Sequence, residues 1–82
     1  MSDVNSKAIL KNIILLANKE YEMMLELSPE WMKKDLNSII GLNNKALLEL
    51  NRKNTNFTYI EILTKMVKKI ADRLNEMQIS KN

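Results

Sequence analysis

The chain has 82 residues, with 13 Lys and Arg against 10 Asp and Glu for a formal net charge of +3, and it contains no Cys, no His and one Gly. Without thiol or imidazole there can be no disulfide and no thiolate or imidazole metal site, and acid–base chemistry would be left to carboxylates, Lys and Tyr. The length suits one domain near the lower limit for folding on a single core, burying roughly 60–65% of the unfolded surface.

The first helix is expected to start between Asp3 and Ser6, among the N-cap candidates Asp3, Asn5 and Ser6, and to run to about Leu27. Ile9, Ile13, Leu16, Glu20, Met24 and Leu27 form one line along it; Leu10, Ile14, Ala17, Tyr21 and Leu25 form a second line beside the first. Leu15 and Met23 widen the stripe further. Such a stripe is wider than a two-helix contact needs, so one helical hairpin cannot cover it. Its longest apolar run, Ile13-Ile14-Leu15-Leu16-Ala17, is far short of the ~20 residues of a membrane span. Asp3 precedes the first Lys and no small-residue cleavage site follows, which argues against a signal peptide.

Ser28-Pro29-Glu30 punctuates the chain. Ser28 is a good N-cap, Pro29 fits the first helical position, and Pro29 disfavours helical geometry at Ser28, so one helix should stop and another start there. The short turn implies antiparallel neighbours. The second helix is expected from Pro29 toward Arg52, with Met32, Leu36, Ile39, Ile40, Leu47 and Leu50 on its apolar face. Gly41 interrupts it. Either Gly41 is a left-handed C′ residue with Asn43 or Asn44 capping a fresh helix, or the helix continues and Gly41 admits another backbone at about 1 kcal/mol relative to Ala. The two Asn that follow favour a kink or break.

Asn51 to Asn56 lacks any apolar residue and reads as a loop. Thr58-Tyr59-Ile60-Glu61 then matches the capping box, with Phe57 and Ile62 at the positions of a hydrophobic staple. The third helix is expected from Tyr59 to about Met77 or Gln78, with Leu63, Met66, Val67, Ile70, Leu74 and Met77 on one face and a frayed Ser80-Lys81-Asn82 after it. On its polar side Glu61 with Lys65 and Lys68 with Asp72 are i,i+4 pairs.

Little here carries reaction chemistry. Glu22, Glu26 and Glu30 recur one turn apart and read as a solvated acidic face. No Gly-rich phosphate loop exists, and neither enzyme activity nor a cofactor is expected. Charge is uneven: residues 1–30 hold three Lys against five acids, net −2, and the rest of the chain is +5. Arg52 and Lys53 with Lys65, Lys68, Lys69 and Arg73 form a basic edge that leaves a small DNA-binding or transcription-modulating protein as an alternative. Asp72 and Glu76 among those Lys residues would repel phosphates, so nucleic acid is the weaker reading. A bacteriocin or toxin immunity protein is a further alternative.

An interaction surface fits better. Six Met are many for this length, and Met is an adaptable side chain common where a surface repacks around partners. Trp31, in the first turn of the second helix, is of a type that often anchors a partner. The expected contact region is the junction of the first two helices: Met23, Met24, Leu27, Trp31 and Met32.

The 82 residues from Met1-Ser2-Asp3-Val4 to Ser80-Lys81-Asn82, helical throughout, rich in Lys and Asn, without Cys or a membrane segment, resemble the small cytoplasmic antiholins of T-even bacteriophages. These are accessory lysis-inhibition proteins. The resemblance covers the whole chain but maps no motif onto particular residues. It implies a non-enzymatic cytoplasmic protein that binds the cytoplasmic part of the phage holin and delays lysis. The expected fold is a single all-α domain with three main helices, either an antiparallel bundle or an intertwined helical dimer. The wide stripe of the first helix and the lack of a covalent staple favour a homodimer.

Overall fold

A computed structural model describes residues 2–81, and the side chains of residues 6–77. Among the described residues the backbone forms three helices and no strand: α1 Ser2–Leu27, α2 Glu30–Leu50 and α3 Phe57–Lys81. α2 lies in the middle. α1 and α3 each pack along it, and their backbones do not approach one another. Asn51 to Asn56 is the non-helical connection, as its polar composition predicts.

Side chains from all three helices meet over α2 in two apolar clusters. Toward the α2–α3 loop, Ile14 packs with Ala46, Leu50, Ile60 and Leu63, and Leu10, Leu42 and Leu47 close the edges. Toward the α1–α2 turn, Met32, Leu36, Ile39 and Leu74 form the second cluster, flanked by Tyr21, Leu25, Trp31 and Val67. Leu36 and Ile39 are fully buried, and each such side chain stabilises the fold by roughly 1.5–3 kcal/mol relative to exposure.

Three amides join α1 to α2. Asn43 donates through Nδ2 to Asn18 Oδ1 at 2.9 Å, and Asn18 donates through its own Nδ2 to Asn44 Oδ1 at 3.0 Å. Asn18 and Asn43 are buried. A buried amide left unpaired costs about 1–3 kcal/mol, so this chain of bonds penalises any sliding or rotation of α1 on α2.

The helix starts and stops differ from the local expectation in several places. α2 runs unbroken through Gly41, with no left-handed residue there and no second helix start. Asn43 and Asn44 turn their side chains to Asn18 rather than to a cap, which removes the reason for a break. No backbone approaches Gly41 either, because a Cβ built on it would meet nothing within 4 Å. At the α1–α2 turn Pro29 is the N-cap residue and Ser28 donates its hydroxyl back to the Met24 carbonyl, finishing α1 instead of starting α2.

A further difference concerns α3, which starts at Phe57, two residues before the expected Tyr59. Asn56 caps it: Asn56 Oδ1 accepts the Tyr59 N–H at 3.1 Å. Asn is a better N-cap than Thr. The Asn56 N–H is in turn accepted at 2.8 Å by Oε2 of Glu49, a buried carboxylate on α2 that also takes Arg52 Nη1 at 3.3 Å. Glu49 thus does from a neighbouring helix what Glu61 would do in a local capping box. Phe57 and Ile62 are consequently not a staple, and both are exposed. Glu61 pairs with Lys65 at 3.3 Å and Lys68 with Asp72 at 3.1 Å, the two i,i+4 pairs expected. α1 begins at Ser2, ahead of the expected range, and α3 extends through Ser80 and Lys81, while Asn82 lies outside the described residues.

The result is elongated, 47 × 21 × 17 Å. Its radius of gyration is 14.0 Å, against about 12 Å for a compact domain of this length. Its accessible surface is 6178 Å², against about 5,100 Å² for a folded monomer of this mass.

Gly41 is an exposed helical glycine with open space at its Cβ position. Gly41→Ala should therefore stabilise the protein by about 0.5–1 kcal/mol, read as a higher urea midpoint at unchanged slope. A lower midpoint would mean that the helix bends at Gly41 in solution.

Candidate interaction surface

The three-helix arrangement covers one face of α1, which packs along α2 and meets α3 through side chains of the apolar clusters. Its inner line, Leu10, Ile14, Ala17, Tyr21 and Leu25, faces the core and is buried or half-buried. Its outer line is left in solvent: Ile9, Ile13, Leu16, Met24 and Leu27 are all exposed, and so is Met23 beside them. Exposure reaches 64% at Leu16 and 89% at Leu27. Isolated exposed apolar residues are ordinary, whereas a contiguous row along one helix is a candidate for an interaction surface.

The expected contact residues divide between this row and the core. Met23, Met24 and Leu27 belong to the exposed row. Met32 does not: at 4% exposure it is part of the second apolar cluster, because α2 turns it toward Leu36, Ile39 and Leu74. Trp31 is half-buried against that same cluster and closes the α1–α2 end of the molecule. Ile9, Ile13 and Leu16, which the junction-centred reading left out, extend the surface along most of α1. Their signal was already in the sequence, in the excess width of the stripe on the first helix.

A second, smaller apolar strip lies on α3. Tyr59, Ile62 and Met66 are exposed, and Met66 and Ile70 line shallow grooves with Lys69 and Arg73 on one side and Ser38, Gly41, Leu42 and Lys45 of α2 on the other. Arg73 reaches across to Asp35 at 2.8 Å. The basic edge is partly neutralised by such pairs, with Arg52 on Glu49, Lys65 on Glu61 and Lys68 on Asp72.

Glu22, Glu26 and Glu30 are exposed, and among the described residues no group of three or more metal-ligating side chains gathers around one point. Among these residues, too, no helix is long and apolar enough to cross a membrane. No protein-family model, curated protein or solved structure matches the chain.

The division between row and core has a direct check in stability. Met32→Ala should cost about 2–5 kcal/mol as a core truncation, while Met23→Ala should stay within about 0.5 kcal/mol for the isolated subunit. Urea denaturation at low protein concentration measures both. Equal costs would mean that Met23 is covered within its own subunit.

Proposed function

We propose that this chain is a non-enzymatic protein-binding module that works by presenting the outer apolar row of α1. The observation that carries this reading is the row itself, a line of large aliphatic side chains on a helix whose other face already serves the core. Keeping such side chains in water brings no stability to the subunit, and burying each against a partner is worth roughly 1.5–3 kcal/mol. The contact region proper is Met23, Met24 and Leu27, at the end of the row, with the edge of Trp31 next to it. Met32 supports it from the core.

In its most concrete form the reading is the one that the antiholin resemblance implies. The protein would act in the host cytoplasm, hold the cytoplasmic part of a phage holin, and so delay lysis. A second copy of the chain is the other expected partner. The alternative of DNA binding has less support, because four of the basic side chains it would use are engaged in ion pairs with carboxylates.

The test is titration of the full chain with the synthetic cytoplasmic segment of a T-even phage holin, followed by calorimetry. The wild-type chain should bind. The double variant Met23→Lys/Leu27→Lys should lose about tenfold or more in affinity while keeping its helical circular dichroism. No binding by the wild type, or equal binding by the variant, would overturn the proposal in this form.

A further inference from the structure

The spacing of the exposed row is informative beyond its exposure. Ile9, Ile13, Leu16, Glu20, Met23 and Leu27 are separated alternately by four and three residues, and all six are exposed. This is the a/d pattern of a coiled-coil seam. A straight helix drifts about 20° per heptad from such a repeat, so over this length the row stays on one side of α1. The core of the subunit uses a different side, the one marked by Ile14, Asn18 and Tyr21.

We infer that this seam pairs with the same seam of a second copy, with the two α1 helices antiparallel. The inference rests on the reading of the α1 row as a docking surface and names its occupant. Three observations select an antiparallel copy. The spacing reads the same in both directions, so antiparallel pairing sets Ile9 against the partner's Leu27, Ile13 against the partner's Met23, and Leu16 against the partner's Glu20. Every layer then joins one a position with one d position. Parallel pairing in register would instead set Glu20 directly against its own copy, two like charges in one layer.

Charge along α1 points the same way. Its first half holds Lys7 and Lys11 against Asp3, net +1, and its second Glu20, Glu22 and Glu26 against Lys19, net −2. Antiparallel copies place unlike ends side by side, whereas parallel copies stack like on like. The helix macrodipoles are also opposed only in the antiparallel arrangement.

Area is sufficient. The seam spans about 27 Å of helix at 1.5 Å per residue. A specific dimer needs about 800 Å² per partner, which this row and the side chains flanking it would supply. Glu20 is the one charged member of the seam. Like other lone polar residues at an a position, it weakens the pair while restricting how the copies fit.

The chain contains no cysteine, so single-cysteine variants report the geometry. Ile13→Cys and Met23→Cys, mixed in equal amounts and oxidised, should give the mixed disulfide as the dominant product, and each variant alone should give little. In sedimentation the wild type should be a dimer at high micromolar concentration, Leu16→Lys a folded monomer, and Glu20→Leu a tighter dimer. A monomeric wild type, a Leu16→Lys variant that stays dimeric, or a predominance of like-with-like disulfides would each overturn the inference. Holin-segment titration of whichever species is found separates the two readings. A monomer that captures the segment defeats the antiparallel pair alone, and a monomer that captures nothing defeats both.

Discussion

The amide chain from Asn43 through Asn18 to Asn44 fixes the rotation of α1 about its own axis, and most of the molecule's character follows from that rotation. Apolar contacts alone would tolerate α1 in several orientations, because it carries aliphatic side chains over much of its circumference. Two buried amides do not tolerate them. Turning α1 by one residue would remove Asn18 from its partners and leave polar groups unpaired between two apolar clusters, at about 1–3 kcal/mol each. With Asn18 held inward, Leu10, Ile14, Tyr21 and Leu25 are committed to the core, and Ile9, Ile13, Leu16, Met23 and Leu27 are committed to the outside.

A second constraint keeps them there. α2 is the shared partner of both other helices, and α3 meets α1 only through the side chains of the two apolar clusters. Glu49 secures that arrangement by reaching over the loop to the Asn56 N–H while Asn56 caps α3. Among the described residues no element covers the outer face of α1. A protein of this size has little stability to spare, and the row contributes none of it while it stays in water.

Much of this was legible in the sequence, and the rest was hidden for physical reasons. The three helices, the polar loop from Asn51 to Asn56 and the surface pairs Glu61–Lys65 and Lys68–Asp72 are local properties of pattern and spacing. The excess width of the α1 stripe was legible too, although which of its two lines faces the core was not. That choice depends on Asn18 meeting Asn43 and Asn44, a contact between residues 25 and 26 positions apart. The same contact explains Gly41: the two Asn that resemble a helix start from the local sequence serve a neighbouring helix instead. The start of α3 was misplaced because Glu49, seven residues before Asn56, supplies the acceptor that a capping box would place inside the helix. Met32 appears in the sequence both on the apolar face of the second helix and in the expected contact region; the structure bears out the first, since one residue is 100° on a helix and that turn carries Met32, unlike Trp31, fully into the core.

The account rests on the outer face of α1 being covered by another molecule in solution, in the first instance a second copy. Thermal unfolding of the full chain across a wide range of protein concentration tests this most directly, because association with the folded state alone makes the midpoint depend on concentration. The account predicts a midpoint that climbs steadily with concentration for the wild type and stays constant for Leu16→Lys. A wild-type midpoint independent of concentration, equal to that of the variant, would contradict it.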